Sequence, residues 1–164
     1  MKIKKIVFAI MILIVMVPVA CFAASNTFEG FEAEDYNGQK VTADIFRDYE
    51  VTMVNIFTTW CGYCVSEMPD IEKLYKDLPE GSNIIAICAD AYESPDDLKD
   101  IVEYFGLDFT IIKMDIEDLL EIYGVLGYPT TVFVDKTGKI IASVSGAKTY
   151  AMYRNAITTL LNRK

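Results

Sequence analysis

The chain has 164 residues, enough for one domain, with 15 Lys and Arg against 24 Asp and Glu and no His. A net charge of −9 makes it a poor partner for nucleic acid or anionic lipid. The missing imidazoles exclude most catalytic zinc and copper sites, any His-based triad and Cys-x-x-Cys-His haem attachment.

Lys2, Lys4 and Lys5 open the chain, and the 19 residues from Ile6 to Ala24 carry no charge. A basic start followed by an apolar run is the pattern of an export signal. The run is also long enough to span a bilayer uncleaved, although Pro18 weakens a straight helix near its end. Three outcomes compete for residues 1–24. Cleavage after Ala23 is supported by the small residues at the two positions a signal peptidase reads in Cys21-Phe22-Ala23. Retention as a membrane anchor is the second. Lipidation at Cys21 is the third, since Val19-Ala20-Cys21 resembles the end of a bacterial lipobox, with Pro18 where Leu is usual. All three place residues 25–164 outside the cytoplasm. Without the leading stretch the body carries 12 positive against 24 negative residues, a net −12, which also suits a soluble surface that resists aggregation.

Residues 25–30 read as a short linker. Asn37-Gly38 signals a hairpin turn, with Phe31 and Tyr36 before it and Val41 after. Val51 to Phe57 is a short, nearly continuous β-branched run, the pattern of a buried strand. From Cys61 onward, Met68, Ile71, Leu74 and Leu78 recur at helical spacing, with Pro69 expected to kink the helix. Asn83 to Ala89 predicts a second buried strand. Ser94-Pro95-Asp96-Asp97 combines a cap residue, Pro at the first position and acids in the first turn, and Leu98, Ile101, Val102 and Phe105 supply that helix's apolar face. A short strand over Phe109–Lys113 and a short helix over Glu117–Tyr123, stopped by Gly124, come next. Thr130–Val134 turns through Asp135-Lys136-Thr137-Gly138 into Lys139–Val144. A last helix runs from about Thr149 to Asn162, with Tyr150, Tyr153, Ile157, Leu160 and Leu161 facing in. Strands alternating with helices, then a hairpin and a helix, predict an α/β fold: a mixed sheet covered on both faces, with an added N-terminal hairpin.

The chemistry concentrates at Trp60-Cys61-Gly62-Tyr63-Cys64, directly after a strand and at the start of a helix. There the first sulfur meets unpaired backbone N–H groups and the positive end of the helix dipole, which favour the reactive thiolate. The two-residue gap lets the second sulfur close a small disulfide ring, so the pair can carry two electrons without a cofactor. Zinc binding would need two more ligands, and only Cys88 remains outside the leading stretch. An inert structural bridge is the other reading, disfavoured because such bridges rarely span two residues at a strand-to-helix junction.

Val54-Asn55-Ile56-Phe57-Thr58-Thr59-Trp60-Cys61-Gly62-Tyr63-Cys64 through Glu67-Met68-Pro69 resembles the active-site segment of the thioredoxin superfamily, and is most similar to the extracytoplasmic TlpA/ResA-like thiol-disulfide oxidoreductases. Gly124-Val125-Leu126-Gly127-Tyr128-Pro129-Thr130-Thr131-Val132-Phe133-Val134-Asp135 resembles the second signature of the same family, followed by a Gly138-Lys139-Ile140 hairpin. The resemblance spans roughly residues 28–162 and implies a thioredoxin-like fold. It implies Cys61 as the attacking cysteine and Cys64 as the resolving one. It implies a cis proline at Pro129 packed against the disulfide, and a partner's extended chain pairing with the backbone at Tyr128, where many relatives have Thr. Without the resemblance, Tyr128-Pro129 reads as an ordinary turn.

Glu67 lies three residues after Cys64, on nearly the same helix face. It either moves a proton to and from Cys64, as the resemblance implies, or is a first-turn acid that favours the dipole. Its charge would oppose thiolate formation nearby. Asn55 stands where cytoplasmic thioredoxins carry a buried proton-handling Asp, and an amide cannot titrate. Trp60 and Tyr63 are candidate client contacts, Trp60 doubling as a lid over the disulfide. Cys88, in a buried strand pattern, reads as a small hydrophobe.

The resemblance implies a reductase of disulfides in exported clients, of the cytochrome c maturation type, acting as a monomer and recharged by a membrane thiol donor, with no metal. Gly62-Tyr63 between the cysteines is also found in some periplasmic disulfide isomerases, so a disulfide oxidant or isomerase is an alternative. A thiol peroxidase would want Pro seven and Thr three residues before its cysteine; Thr58 satisfies the second, but Val54 occupies the first. A non-catalytic surface binding protein on the same scaffold is the remaining alternative.

Overall fold

The computed structural model describes residues 26–163. The leading stretch 1–24 and Cys21 therefore lie outside the described residues. Seven strands form one sheet: β1 (Glu32–Asp35), β2 (Lys40–Thr42), β3 (Val51–Phe57), β4 (Ser82–Cys88), β5 (Thr110–Lys113), β6 (Thr130–Val134) and β7 (Ile140–Ser145). The spatial order is β2-β1-β5-β4-β3-β6-β7. The central β3, β4 and β5 are parallel, and β6, β7 and the N-terminal hairpin β1–β2 run antiparallel to their neighbours. The helices are α1 (Gly62–Tyr75), α2 (Pro95–Phe105), α3 (Ile116–Tyr123) and α4 (Tyr150–Leu161). Among the described residues no helix is long and apolar enough to cross a membrane.

Successive residues of β3 alternate between the two faces. Met53 and Phe57 join one core with Met68, Ile71, Leu74, Leu98, Tyr153 and Ile157, which α1, α2 and α4 supply. Val54 and Ile56 join the other, with Phe28, Phe46 and Leu119 of α3. All seven residues of β3 are buried, as a central strand covered on both sides requires. The fold is therefore the mixed, doubly covered thioredoxin-like sheet with an added hairpin.

Three local expectations need correction. Of the expected linker 25–30, the described residues 26–30 are part of the packed domain instead. Asn26 and Phe28 exchange backbone bonds with the β6–β7 turn (Phe28 N–H to Gly138 O, 2.7 Å; Ile140 N–H to Asn26 O, 2.9 Å). Phe28 is fully buried and stacks on Tyr123 at 4.4 Å. Gly138 turns with φ +87, a left-handed conformation that favours glycine. Second, α1 continues through Pro69 but ends at Tyr75, leaving Leu78 to pack against the core from the following turn. Third, Ser94 precedes α2 but its side chain makes no capping bond; Pro95 and the first-turn acids Asp96 and Asp97 mark the start instead.

Replacing Phe28 by Ala removes an aromatic ring from the second core. The expected loss is about 3–5 kcal/mol of unfolding free energy, with an unchanged denaturant slope, measured by urea unfolding.

Candidate active site

The parallel register of β3 on β4 ends at Phe57↔Cys88. Beyond it the chain turns through Thr58 and Thr59 into α1. Cys61 is the helix N-cap, in extended conformation (φ −83, ψ 99), and its Sγ accepts the backbone N–H of Cys64 at 3.3 Å. The first sulfur thus takes the place a Ser or Asp oxygen occupies at other helix starts. Cys61 and Cys64 are bonded, with Cα atoms 5.2 Å apart. Cys61 keeps 8% of its surface exposed and Cys64 none, so Cys61 is the more accessible of the two.

The antiparallel pairing of β6 with β3 brings the second signature alongside. The Tyr128–Pro129 peptide bond is cis. Pro129 is buried and Tyr128 half-buried. A groove of about 320 Å³ runs past them, lined among others by Leu126, Gly127, Tyr128, Pro129, Ser145 and Gly146. Trp60 is 68% exposed and meets the Tyr128 ring edge-on at 6.1 Å, and Tyr63 is 78% exposed. Trp60 therefore points outward.

Glu67 is 3% exposed. A buried carboxylate must be met by donors, and three reach it: Asn55 Nδ2 to Oε1 at 2.8 Å, Tyr153 Oη to Oε2 at 2.9 Å and the Lys148 backbone N–H to Oε2 at 2.9 Å. Thr131 Oγ1 lies 3.0 Å from Tyr153 Oη and 3.1 Å from Asn55 Nδ2. Tyr153 has one hydroxyl proton and gives it to Glu67, so Thr131 donates to Tyr153 and accepts from Asn55. Four side chains close a ring of bonds. Burial first, and the Glu67 charge second, push the Tyr153 hydroxyl well above its ordinary pKa.

Cys88 is fully buried and is a free thiol. It donates to Asp90 Oδ1 at 3.3 Å. Desolvation, reinforced by the Asp90 charge, holds that thiol protonated far above the ordinary cysteine range. Among the described residues no group of three or more His, Cys, Asp and Glu is placed to hold a metal ion.

The family model described as AhpC/TSA matches residues 24–143. The chain is 33% identical over 120 residues to thiol-disulfide oxidoreductase ResA of Bacillus thuringiensis subsp. konkukian, covering 73% of this chain and 68% of that protein. The chain belongs to this family. It is a thiol-disulfide oxidoreductase. ResA of Bacillus anthracis is 28% identical over 163 residues, covering 91% of this chain and 92% of the relative. Among solved structures, the exposed lipoprotein thioredoxin Etrx1 of Streptococcus pneumoniae superposes with a TM-score of 0.66 at 20% identity, over 81% of this chain and 98% of that one. That level of identity speaks for the fold alone.

Spacing brought Cys61, Cys64 and Glu67 into view, and the structure sets Glu67 beside Asn55 as well. Tyr153 read only as core, Thr131 only as strand, and Lys148 and Asp90 gave no signal. The bonds that tie Tyr153 and Lys148 to Glu67, Thr131 to Asn55 and Asp90 to Thr59 span 86, 81, 76 and 31 residues, distances that neither helical nor strand periodicity covers.

In the unfolded chain Cys88 and Tyr153 ionise near their ordinary values of about 8.5 and 10, whereas in the fold both stay protonated. The unfolded state therefore releases protons first, and stability falls as pH rises above about 8.5. Cys88→Ala should flatten the first part of that fall, between about pH 8.5 and 10, in urea titrations of the reduced protein.

Proposed function

We propose that the protein is an extracytoplasmic reductase of disulfides in exported client proteins, tethered or released by residues 1–24, working as a monomer and recharged by a membrane thiol donor. The observation that carries this reading is the Cys61 sulfur at a helix N-cap with Cys64 bonded behind it. The reduced Cys61 thiolate attacks one sulfur of the client disulfide, and the client's other sulfur leaves as a thiolate and takes up a proton. Cys64 then loses its proton and attacks Cys61 Sγ. The Cys61–Cys64 bond forms, and the client leaves with both cysteines reduced. The donor returns the two electrons.

Glu67 is the proton carrier for Cys64 in this scheme. Its ring of partners holds the carboxyl in one orientation, so the group that receives or returns the proton is in place before resolution begins. A negative charge on the helix face shared with Cys64, three residues on, also opposes thiolate formation, which favours the bridged form and hence donation of electrons. Trp60, Tyr63, Tyr128 and Pro129 form the client-contact surface, with the client chain extended along the Tyr128–Pro129 groove. Export is supported by the basic start at Lys2, Lys4 and Lys5 and the uncharged run from Ile6 to Ala24.

Two measurements test this. The full-length Cys64→Ser protein should accumulate mixed disulfides through Cys61 with exported clients in cells, and Cys61→Ser should abolish insulin disulfide reduction; a Cys64→Ser protein that captures nothing argues against the reductase. In Glu67→Gln the Cys61 thiolate pKa, read from the pH dependence of alkylation, should drop by about one unit. An unchanged pKa together with an unchanged reduction rate dismisses the role of Glu67.

A further inference from the structure

Asp90 is a second buried carboxylate at this end of the sheet, 3% exposed and separate from the Glu67 ring. It lies just beyond the end of β4, as Thr59 lies just beyond the end of β3, and the two strands are parallel neighbours. The Thr59 backbone N–H approaches Asp90 Oδ1 at 3.0 Å and Oδ2 at 3.2 Å, and the Thr59 hydroxyl donates to Oδ2 at 2.6 Å. Cys88 supplies a third donor. The Asp90 backbone O accepts the N–H groups of Glu93 and Ser94, tying the same residue to the entry of α2. Its carboxylate thus grips the residue two positions before Cys61, and the Cys61 N–H in turn bonds to Thr58 O at 3.3 Å within that turn.

We propose that Asp90 is a positioning residue for the redox pair: clamped through Thr59, it fixes the turn that presents Trp60 and Cys61, and it keeps a negative charge under that turn which resists ionisation of Cys61. This rests on the reading of Cys61 as the attacking sulfur. The charge reaches the client-facing side, because the Tyr128 hydroxyl is raised by burial and then by Asp90. The other ionisable groups facing this region are Cys88, Tyr128 and, from α1, Glu67. Tyr128 meets that segment by ring contact with Trp60, and Asp90 holds it by hydrogen bonds to Thr59. Two carboxylates, from different strands and helices, then act on one pair of sulfurs. Asp90 acts through the first cysteine's approach and Glu67 through the second.

The test uses the full-length protein with Asp90→Asn, which keeps an acceptor for the Thr59 N–H and removes the charge. Two readouts apply: the pH midpoint of Cys61 alkylation, and the equilibrium of the pair with reduced and oxidised glutathione. Without the charge, the alkylation midpoint falls and the equilibrium moves toward the dithiol by roughly threefold to tenfold, the size expected of one partly screened charge. Thr59→Val keeps the charge and loses the hydroxyl bond, so it should not reproduce that shift. The inference is overturned if Asp90→Asn leaves both readouts unmoved, or if Thr59→Val moves them as far in the same direction. Glu67→Gln in the same assay separates the outcomes: if it shifts the midpoint while Asp90→Asn does not, the oxidoreductase reading stands and only the role of Asp90 falls. A pair that fails to equilibrate with glutathione in any variant removes the reading of Cys61 itself.

Discussion

A sulfur that caps a helix has to stand where a strand stops, and in this protein the stopping point of β3 sets the position of every other reactive group. β3 is paired on both edges and buried on both faces. Its end is therefore held by two layers of packing, so Cys61 enters α1 from a rigid support. The N–H groups at the first turn of α1 need acceptors in any case, and Cys61 Sγ satisfies that of Cys64. One local geometry stabilises the helix start, favours a thiolate and sets the second sulfur within bonding distance. The antiparallel neighbour β6 brings the cis Tyr128–Pro129 segment to the same edge.

Around that junction the protein buries two carboxylates. An uncompensated buried charge is costly by several kcal/mol, and each of these is met by three donor groups: Asn55, Tyr153 and Lys148 for Glu67, and the Thr59 N–H, the Thr59 hydroxyl and Cys88 for Asp90. The donors come from β3, α4, the β7–α4 connection, the β3–α1 turn and β4. The polar groups thereby knit α1 and α4 to the sheet close to the sulfurs, while the two apolar cores hold the rest. Asn55 shows the economy of the arrangement. An acid at that position would set two carboxylates against each other inside the core, whereas the amide donates to Glu67 and Thr131 at once.

The outward face has the opposite character. Trp60, Tyr63 and Leu126 are largely exposed apolar groups on an acidic body. Exposed apolar side chains of this size beside a reactive pair are the kind of surface that the proposed client contact would use, since apolar area contributes contact without demanding particular hydrogen bonds.

The amino-acid order alone determined what depends on near neighbours. The β-branched run of β3, the three-residue spacing of Cys61, Cys64 and Glu67, the Asn37-Gly38 turn and the stop at Gly124 each act over one strand or one helical turn, and each was legible. Tertiary structure decided what depends on remote partners. Phe28 became core because a β6–β7 turn over a hundred residues away accepted its backbone. Tyr153 and Thr131 became partners of Glu67, and Asp90 became a clamp on Thr59, because sheet pairing brought their elements together. Periodicity records which face a residue presents; only the packed fold records what that face meets.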